Sequence, residues 1–193
     1  MPSLFLGLIS GTSADGIDAA LVRFDGDDPH ARCELVRGRT YAWDEALRAR
    51  LVELGQGGEL ASLDELGTLD ARVAEGFADA ALALLREADV AASAVRALGS
   101  HGQTVRHRPH GAANDGRFPF TLQLGDGNLI AERTGIATVA DFRRRDQSIH
   151  LLPAKWLGFG SSLNFDKAAI PCQYYIHIYF GGGIFAVIQI QHG

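Results

Sequence analysis

Two apolar runs, Leu4 to Ile9 and Ile17 to Phe24, flank the polar stretch "SGTSADG". Each run has the length of one buried strand, and the residues between them suffice only for a turn. A chain that starts this way starts as a hairpin. Segment 33–41, "CELVRGRTY", alternates loosely and reads as a third strand, so the opening unit is an antiparallel meander.

The period then changes. A short helix is expected over 44–54. Ser62, followed three residues later by Glu65, has the capping-box pattern, and Leu66, Leu69, Val73, Phe77, Ala80, Ala81 and Leu84 recur at helical spacing to about Ala88. Gly67 and Gly76 each weaken that helix by about 1 kcal/mol relative to Ala. "AVRALGSHGQTV" reads as a strand entering a polar turn, 110–119 as a loop, and "FTLQLG" as a further strand. "DGNLIAERTG" reads as a capped short helix closed by Gly135, and "IATVADF" as a last strand. Meander first and crossover later is the order of a ribonuclease-H-like core, an analogy of fold that leaves the chemistry open.

Three constellations carry chemistry. In the opening turn, Gly11 and Gly16 allow close backbone approach while Thr12 and Ser13 add hydroxyls, the nest of donors a polyphosphate needs. Asp15 and Asp18 repel a bare phosphate, so at least one is expected to act through Mg²⁺. No Lys follows the glycines, which excludes a P-loop. A hairpin turn rich in turn formers is the plainer alternative. "GSHGQTVRHRP", 99–109, sets His101, Gln103 and Thr104 at a strand end, suited to a polyol or to a loop satisfied by its own backbone. "ADFRRRD", 140–146, offers a guanidinium to a carboxylate substrate, or is a solvated surface run.

Together the three resemble the anhydro-N-acetylmuramic acid kinase family across residues 1–146. "GTSADGID" matches that family's G-T-S-x-D-G-x-D nucleotide loop, "GSHGQTVRH" its sugar-side loop, and "FTLQLGDGNLIAERTGIATVADFRRRD" its next stretch. The resemblance implies an α/β fold, the N-terminal lobe of an actin-like sugar kinase with a mixed sheet, flanking helices and the second lobe largely missing. It also implies a kinase that uses ATP and Mg²⁺ to convert the anhydro sugar and water to N-acetylmuramic acid 6-phosphate. By position, Gly11, Thr12, Ser13, Ala14, Asp15, Gly16, Ile17 and Asp18 would contact ATP, with Asp15 or Asp18 toward the metal. His101, Gln103, Thr104 and Arg145 would line the sugar site, Arg145 facing the lactyl carboxylate.

Composition divides the chain near Asp146. Residues 1–146 hold every arginine and no lysine; residues 147–193 hold Lys155 and Lys167, no arginine, and Asp166 as their one acidic residue. Isoleucines crowd the same tail. The family's G-G-Q-G-A-P segment and its D-x-G-P-G-N motif, whose Asp activates water, are absent from that tail. Two parts are therefore expected: a kinase lobe over 1–146 and a divergent tail over 147–193, joined by a frameshift, a fusion or a misplaced boundary. The alternative to the family enzyme is an inactive fragment that retains weak nucleotide or sugar binding. A ribonuclease-H-like nuclease is the remoter alternative, and a net charge of −5 counts against it. Cys33 and Cys172 are too few for a disulfide framework and read as reduced thiols. With no basic n-region before the first apolar run, a cytoplasmic protein is expected. Its expected partner is a small sugar, with a homodimer allowed, rather than nucleic acid or membrane.

Overall fold

A computed structural model describes residues 3–25 and 33–143, together with the backbone strands at 162–163, 173–180 and 184–191. The hairpin and meander form as the apolar runs require: β1 (Ser3–Ser10), β2 (Ile17–Phe24) and β3 (Cys33–Tyr41) pair antiparallel in sequence. The helices α1 (Glu45–Gly55) and α2 (Leu63–Glu87) follow, and then β4 (Val95–Arg108) returns parallel to β1. β5 (Phe120–Leu124), α3 (Gly127–Thr134) and the two-residue β6 (Thr138–Val139) complete the first sheet. Its order is β3-β2-β1-β4-β5, with β6 also on β4. β4 serves two neighbours on one edge: Leu98 and Gly99 take β6 in parallel, and Gln103 to Arg108 take β5 antiparallel. β7 (Ser162–Leu163), β8 (Gln173–Phe180) and β9 (Ile184–Gln191) form a separate antiparallel sheet.

Local chemistry fixes the helix ends. Ser62 Oγ accepts from the Glu65 amide at 3.0 Å, and Glu65 Oε2 accepts from the Ala61 amide at 2.6 Å. Asp44 caps α1 and Asp126 caps α3, while Gly135 closes α3 in the left-handed region at φ 69°. Arg106 on β4 donates to the carbonyls of Leu54 and Gly58, so the C-terminal end of α1 is held by a guanidinium from the sheet.

The main core lies between α2 and the sheet. Leu69, Val73, Phe77, Ala81 and Leu84 meet Leu6, Leu8, Leu21 and Leu98, all buried. Each large side chain stabilises the lobe by about 1.5–3 kcal/mol. The opposite sheet face, Phe5, Ile9, Ala20, Val22 and Phe24, is buried as well, and β9 approaches β1, β2 and β4. Among the described residues no helix is long and apolar enough to cross a membrane.

The structure corrects three expectations. Residues 99–108 are not a turn: β4 runs through them, with Gly102 at φ 71° absorbing the irregularity. A Cβ on Gly102 would lie 2.5 Å from the Leu124 carbonyl oxygen, so close pairing with β5 demands glycine there. The last strand shrinks to Thr138–Val139, because Asp141 turns the chain at φ 57°. Gly67 and Gly76 also part company. A Cβ at Gly67 meets nothing within 4 Å, whereas one at Gly76 would lie 3.0 Å from the Trp43 ring.

Candidate functional site

Because β1 and β4 are parallel neighbours, the loop that follows β1 and the polar half of β4 emerge side by side. The last paired residues are Ser10 and Gln103. Gln103 Nε2 donates to the Gly11 carbonyl at 3.1 Å and to the Thr104 carbonyl at 3.2 Å. Gln103 itself is only 1 % exposed, so it acts here as a tie between the two sequence-predicted segments. Its Oε1 is buried without a partner among the described residues.

The loop is shaped before any ligand arrives. The Ala14 amide donates to the Gly11 carbonyl at 3.0 Å, and Ala14 sits at φ 49°, a left-handed conformation costly for Ala. Arg48 from α1 holds it there, donating to the Ala14 carbonyl at 2.9 Å and to Asp15 Oδ1 at 3.2 Å. Gly11, Thr12, Ser13 and Asp15 are exposed, while Ala14, Gly16 and Ile17 are buried. A Cβ on Gly16 would overlap Thr40 and come 3.0 Å from the Tyr41 carbonyl oxygen, so only glycine fits.

The two aspartates differ. Asp18 is 9 % exposed and its Oδ1 accepts from the Thr40 hydroxyl at 2.6 Å, which ties β2 to β3. Asp15 stands at the loop mouth beside exposed hydroxyls. Its exposed carboxylate, which also pairs with Arg48, could hold Mg²⁺, an ion that takes few protein ligands and completes its shell with water.

A cavity of about 390 Å³ opens beside β4, between β5 and the start of α3. His101, Ser100, Gln123, Asp126, Asn128 and Asp70 are among the residues that line it. Thr104 backs this wall, its hydroxyl accepting from Gln123 Nε2 at 3.0 Å. Asp70 Oδ1 accepts from the Gly125 amide at 2.6 Å and fixes the turn into α3. Ser100 Oγ is buried with no partner among the described residues. Hydroxyls, amides and carboxylates in one small concavity suit a polyol, whose hydroxyl groups both donate and accept.

His101 is neutral. Burial pushes its pKa below the ordinary value, and the nearby Arg143 charge adds to this. Its Nδ1 lies 3.0 Å from the Gly102 carbonyl oxygen, and Arg143 Nη1 lies 3.3 Å from its Nε2. Of the residues expected from sequence, the structure joins the Gly11–Asp18 turn to Gln103, while His101 lines the cavity whose wall Thr104 backs. Arg145 lies outside the described residues. Arg48, Gln123 and Asp70 went unrecognised, while Arg143 belongs to the arginine run that the sequence offered to a carboxylate substrate. Arg48 and Asp70 lie on helices where spacing marks only their solvent side, so nothing in the sequence flags them.

A family model described as anhydro-N-acetylmuramic acid kinase matches residues 3–151. A protein of that name from Xanthomonas campestris pv. campestris (strain 8004) is 55 % identical over 172 residues, covering 86 % of this chain and 44 % of its own length. The Xylella fastidiosa (strain Temecula1 / ATCC 700964) protein of the same name is 53 % identical with the same coverage. The one from Vibrio vulnificus (strain CMCP6) is 46 % identical over 146 residues, 76 % of this chain and 37 % of its own. The chain thus spans less than half the length of these curated relatives. The 86 % share is more than residues 1–146 alone supply, so the match to the Xanthomonas protein continues past Asp146. With the mixed α/β sheet, the shaped turn after β1 and the extent of the match, the chain belongs to the anhydro-N-acetylmuramic acid kinase family.

Proposed function

We propose that this chain supplies the lobe of an ATP-dependent kinase that opens 1,6-anhydro-N-acetylmuramic acid with water and phosphorylates O6. The product is N-acetylmuramic acid 6-phosphate, an intermediate of peptidoglycan recycling, and the setting is cytoplasmic. The observation that carries the reading is the Gly11–Gln103 hydrogen bond, which ties the turn after β1 to the strand whose His101 lines the polar cavity.

In this reading the Gly11–Asp18 turn receives the ATP phosphates through its amides and the Thr12 and Ser13 hydroxyls. Asp15 holds Mg²⁺, which neutralises phosphate charge when bound with the nucleotide. Asp18 keeps the turn on β3 through Thr40. His101 and Thr104 line the sugar side, Gln103 ties it to the turn, and Arg145 is the residue that the resemblance assigns to the lactyl carboxylate. Water adds to the anomeric carbon as its bond to O6 breaks, and O6 takes the γ-phosphoryl group. The proton of that water needs a base, and the family's D-x-G-P-G-N motif is absent from this chain. Positioning supplies most of the rate in phosphoryl transfer, so turnover needs that base and a wall opposite this lobe beside the described residues.

The second reading is that residues 1–193 alone bind but do not turn over, with a kinase lobe over 1–146 and a tail over 147–193. The switch from arginine to lysine supports that division. Coupled ADP release with the anhydro sugar, run on this chain and on a protein of the relatives' full length carrying this lobe, tests both. Activity in the longer protein alone supports both statements. Absence from the longer protein contradicts the kinase reading, and activity in the 193-residue chain contradicts the inactive one.

A further inference from the structure

From Gly11 to Gly16 only Ala14 has a left-handed backbone, at φ 49°. The two glycines of that stretch tolerate the region freely and do not take it. Elsewhere Asp89, Asn114 and Asp141 take it, and their short polar side chains suit it by bonding locally. Ala14 has no such group, and its methyl is buried. Left to itself, alanine disfavours this conformer by roughly five- to thirtyfold. Something outside the turn must hold it there.

Arg48 does so. Its Nε donates to the Ala14 carbonyl at 2.9 Å and its Nη2 to Asp15 Oδ1 at 3.2 Å, so one planar fork grips a backbone oxygen and the next side chain. The Ala14–Asp15 peptide is trans, so its N–H points opposite to its carbonyl. Drawing the carbonyl toward α1 therefore turns the Asp15 amide away from α1. On the other side of the same residue, the Ala14 amide closes on the Gly11 carbonyl at 3.0 Å. The arginine itself starts from a fixed place. Asp44 caps α1 by accepting from the Leu47 amide at 2.9 Å, Leu47, Leu51 and Leu54 are buried, and Arg106 holds the other end.

We propose that Arg48 is a positioning residue for the nucleotide: it holds Ala14 left-handed and so keeps the turn in the form that receives phosphate, without itself touching the ligand. The assignment rests on reading this turn as the nucleotide site. A turn released by Arg48 binds only through the fraction of molecules that still hold Ala14 left-handed, and the apparent affinity falls by that fraction. Glycine populates the left-handed region about as readily as the right-handed one, so at position 14 it should make Arg48 nearly dispensable.

The test is a ¹⁵N amide titration of the 193-residue chain with Mg²⁺-ATP, run on the wild type, Arg48→Ala, Ala14→Gly and the double variant. Arg48→Ala is expected to weaken the affinity read at the Gly11 to Asp18 amides roughly five- to thirtyfold. In the free protein it should also speed hydrogen exchange of the Ala14 amide. In the Ala14→Gly background the same change at Arg48 should cost no more than about twofold. An equal loss in both backgrounds overturns the assignment, because it would show Arg48 acting through its charge on the phosphates. Unchanged affinity in Arg48→Ala overturns it as well. Arg48 is exposed on α1, where alanine is a strong helix former, so the variant keeps the fold. Arg48→Met, which retains the stem and removes the fork, reads the same pair of ratios a second time. Wild-type amides from Gly11 to Asp18 that do not respond to millimolar Mg²⁺-ATP contradict the nucleotide-site reading itself, and the assignment with it.

Discussion

Gln103 donates its side-chain amide to the Gly11 carbonyl at 3.1 Å, joining residues that the chain separates by two strands and two α-helices. That bond ties two polar segments of the chain to each other. Gln103→Leu is expected to destabilise the lobe by about 1–3 kcal/mol, since the Gly11 and Thr104 carbonyls lose their donor. Gln103→Glu should do more harm, because a carboxylate would face two carbonyl oxygens. Urea denaturation measures both, and a wild-type midpoint in Gln103→Glu would show that the bond does not hold the two segments.

Asp15 and Asp18 should separate by readout. Asp15→Ala is expected to lower the Mg²⁺-dependent gain in ATP affinity roughly tenfold while leaving the melting temperature near that of the wild type, because the side chain is exposed at the loop mouth. Asp18→Ala should cost stability, about 1–3 kcal/mol, by leaving the Thr40 hydroxyl without its acceptor. Calorimetry with and without Mg²⁺, beside thermal melts, distinguishes them. Two variants with the same profile would contradict the division of roles.

The two helical glycines make opposite predictions. Gly67→Ala should stabilise by up to about 1 kcal/mol, because the new methyl meets nothing and the helix gains propensity. Gly76→Ala gains the same propensity but presses on Trp43 at 3.0 Å and Ile17 at 3.4 Å. Overpacking of this kind costs about 1–3 kcal/mol, so the net change is a loss. It should also disturb the Trp43 indole, which donates to Ser10 Oγ at the start of the phosphate turn. Tryptophan fluorescence follows that effect, and equal stability changes for the two variants would contradict the packing.

Much of this was legible in the residues. The hairpin, the capping box at Ser62, the helix to Glu87 and the cap at Asp126 are local signals, and the structure repeats them. The strand through Gly102 was not legible, since glycines and polar residues spell a turn locally and only pairing with β5 overrides them. The site was legible as motifs and not as geometry. No spacing in the chain announces that Arg48 reaches Ala14 or that Asp70 reaches Gly125. Contacts between residues far apart in sequence are tertiary facts, and periodicity carries no record of them.

Acid should expose two groups in turn. His101 is buried and neutral, with its folded pKa below the ordinary 6.5. The unfolded chain therefore takes up the proton first, and stability falls as pH drops below about 6.5 until the folded pKa is passed. His101→Phe should remove that part of the slope. Glu87 behaves at lower pH: hydrogen bonds from Arg39, Tyr41 and Arg37 hold its carboxyl below the usual range. Its contribution is present above the ordinary carboxylate pKa and is lost as pH falls through the folded one. Denaturation midpoints between pH 8 and 3, beside an NMR titration of the His101 ring, check both, and a His101 that titrates above the ordinary value would reverse the first sign.

The most direct measurement is a backbone amide NMR map of the ¹⁵N-labelled chain, titrated separately with Mg²⁺-ATP and with 1,6-anhydro-N-acetylmuramic acid. The nucleotide is expected to shift the amides of Gly11 to Asp18, and the sugar those of Ser100 to Thr104 and Gly125 to Asn128. Gly11 and Gln103 should respond to both. Shifts confined to other surfaces, or none with either ligand at millimolar concentration, would contradict a single nucleotide-and-sugar edge on this lobe.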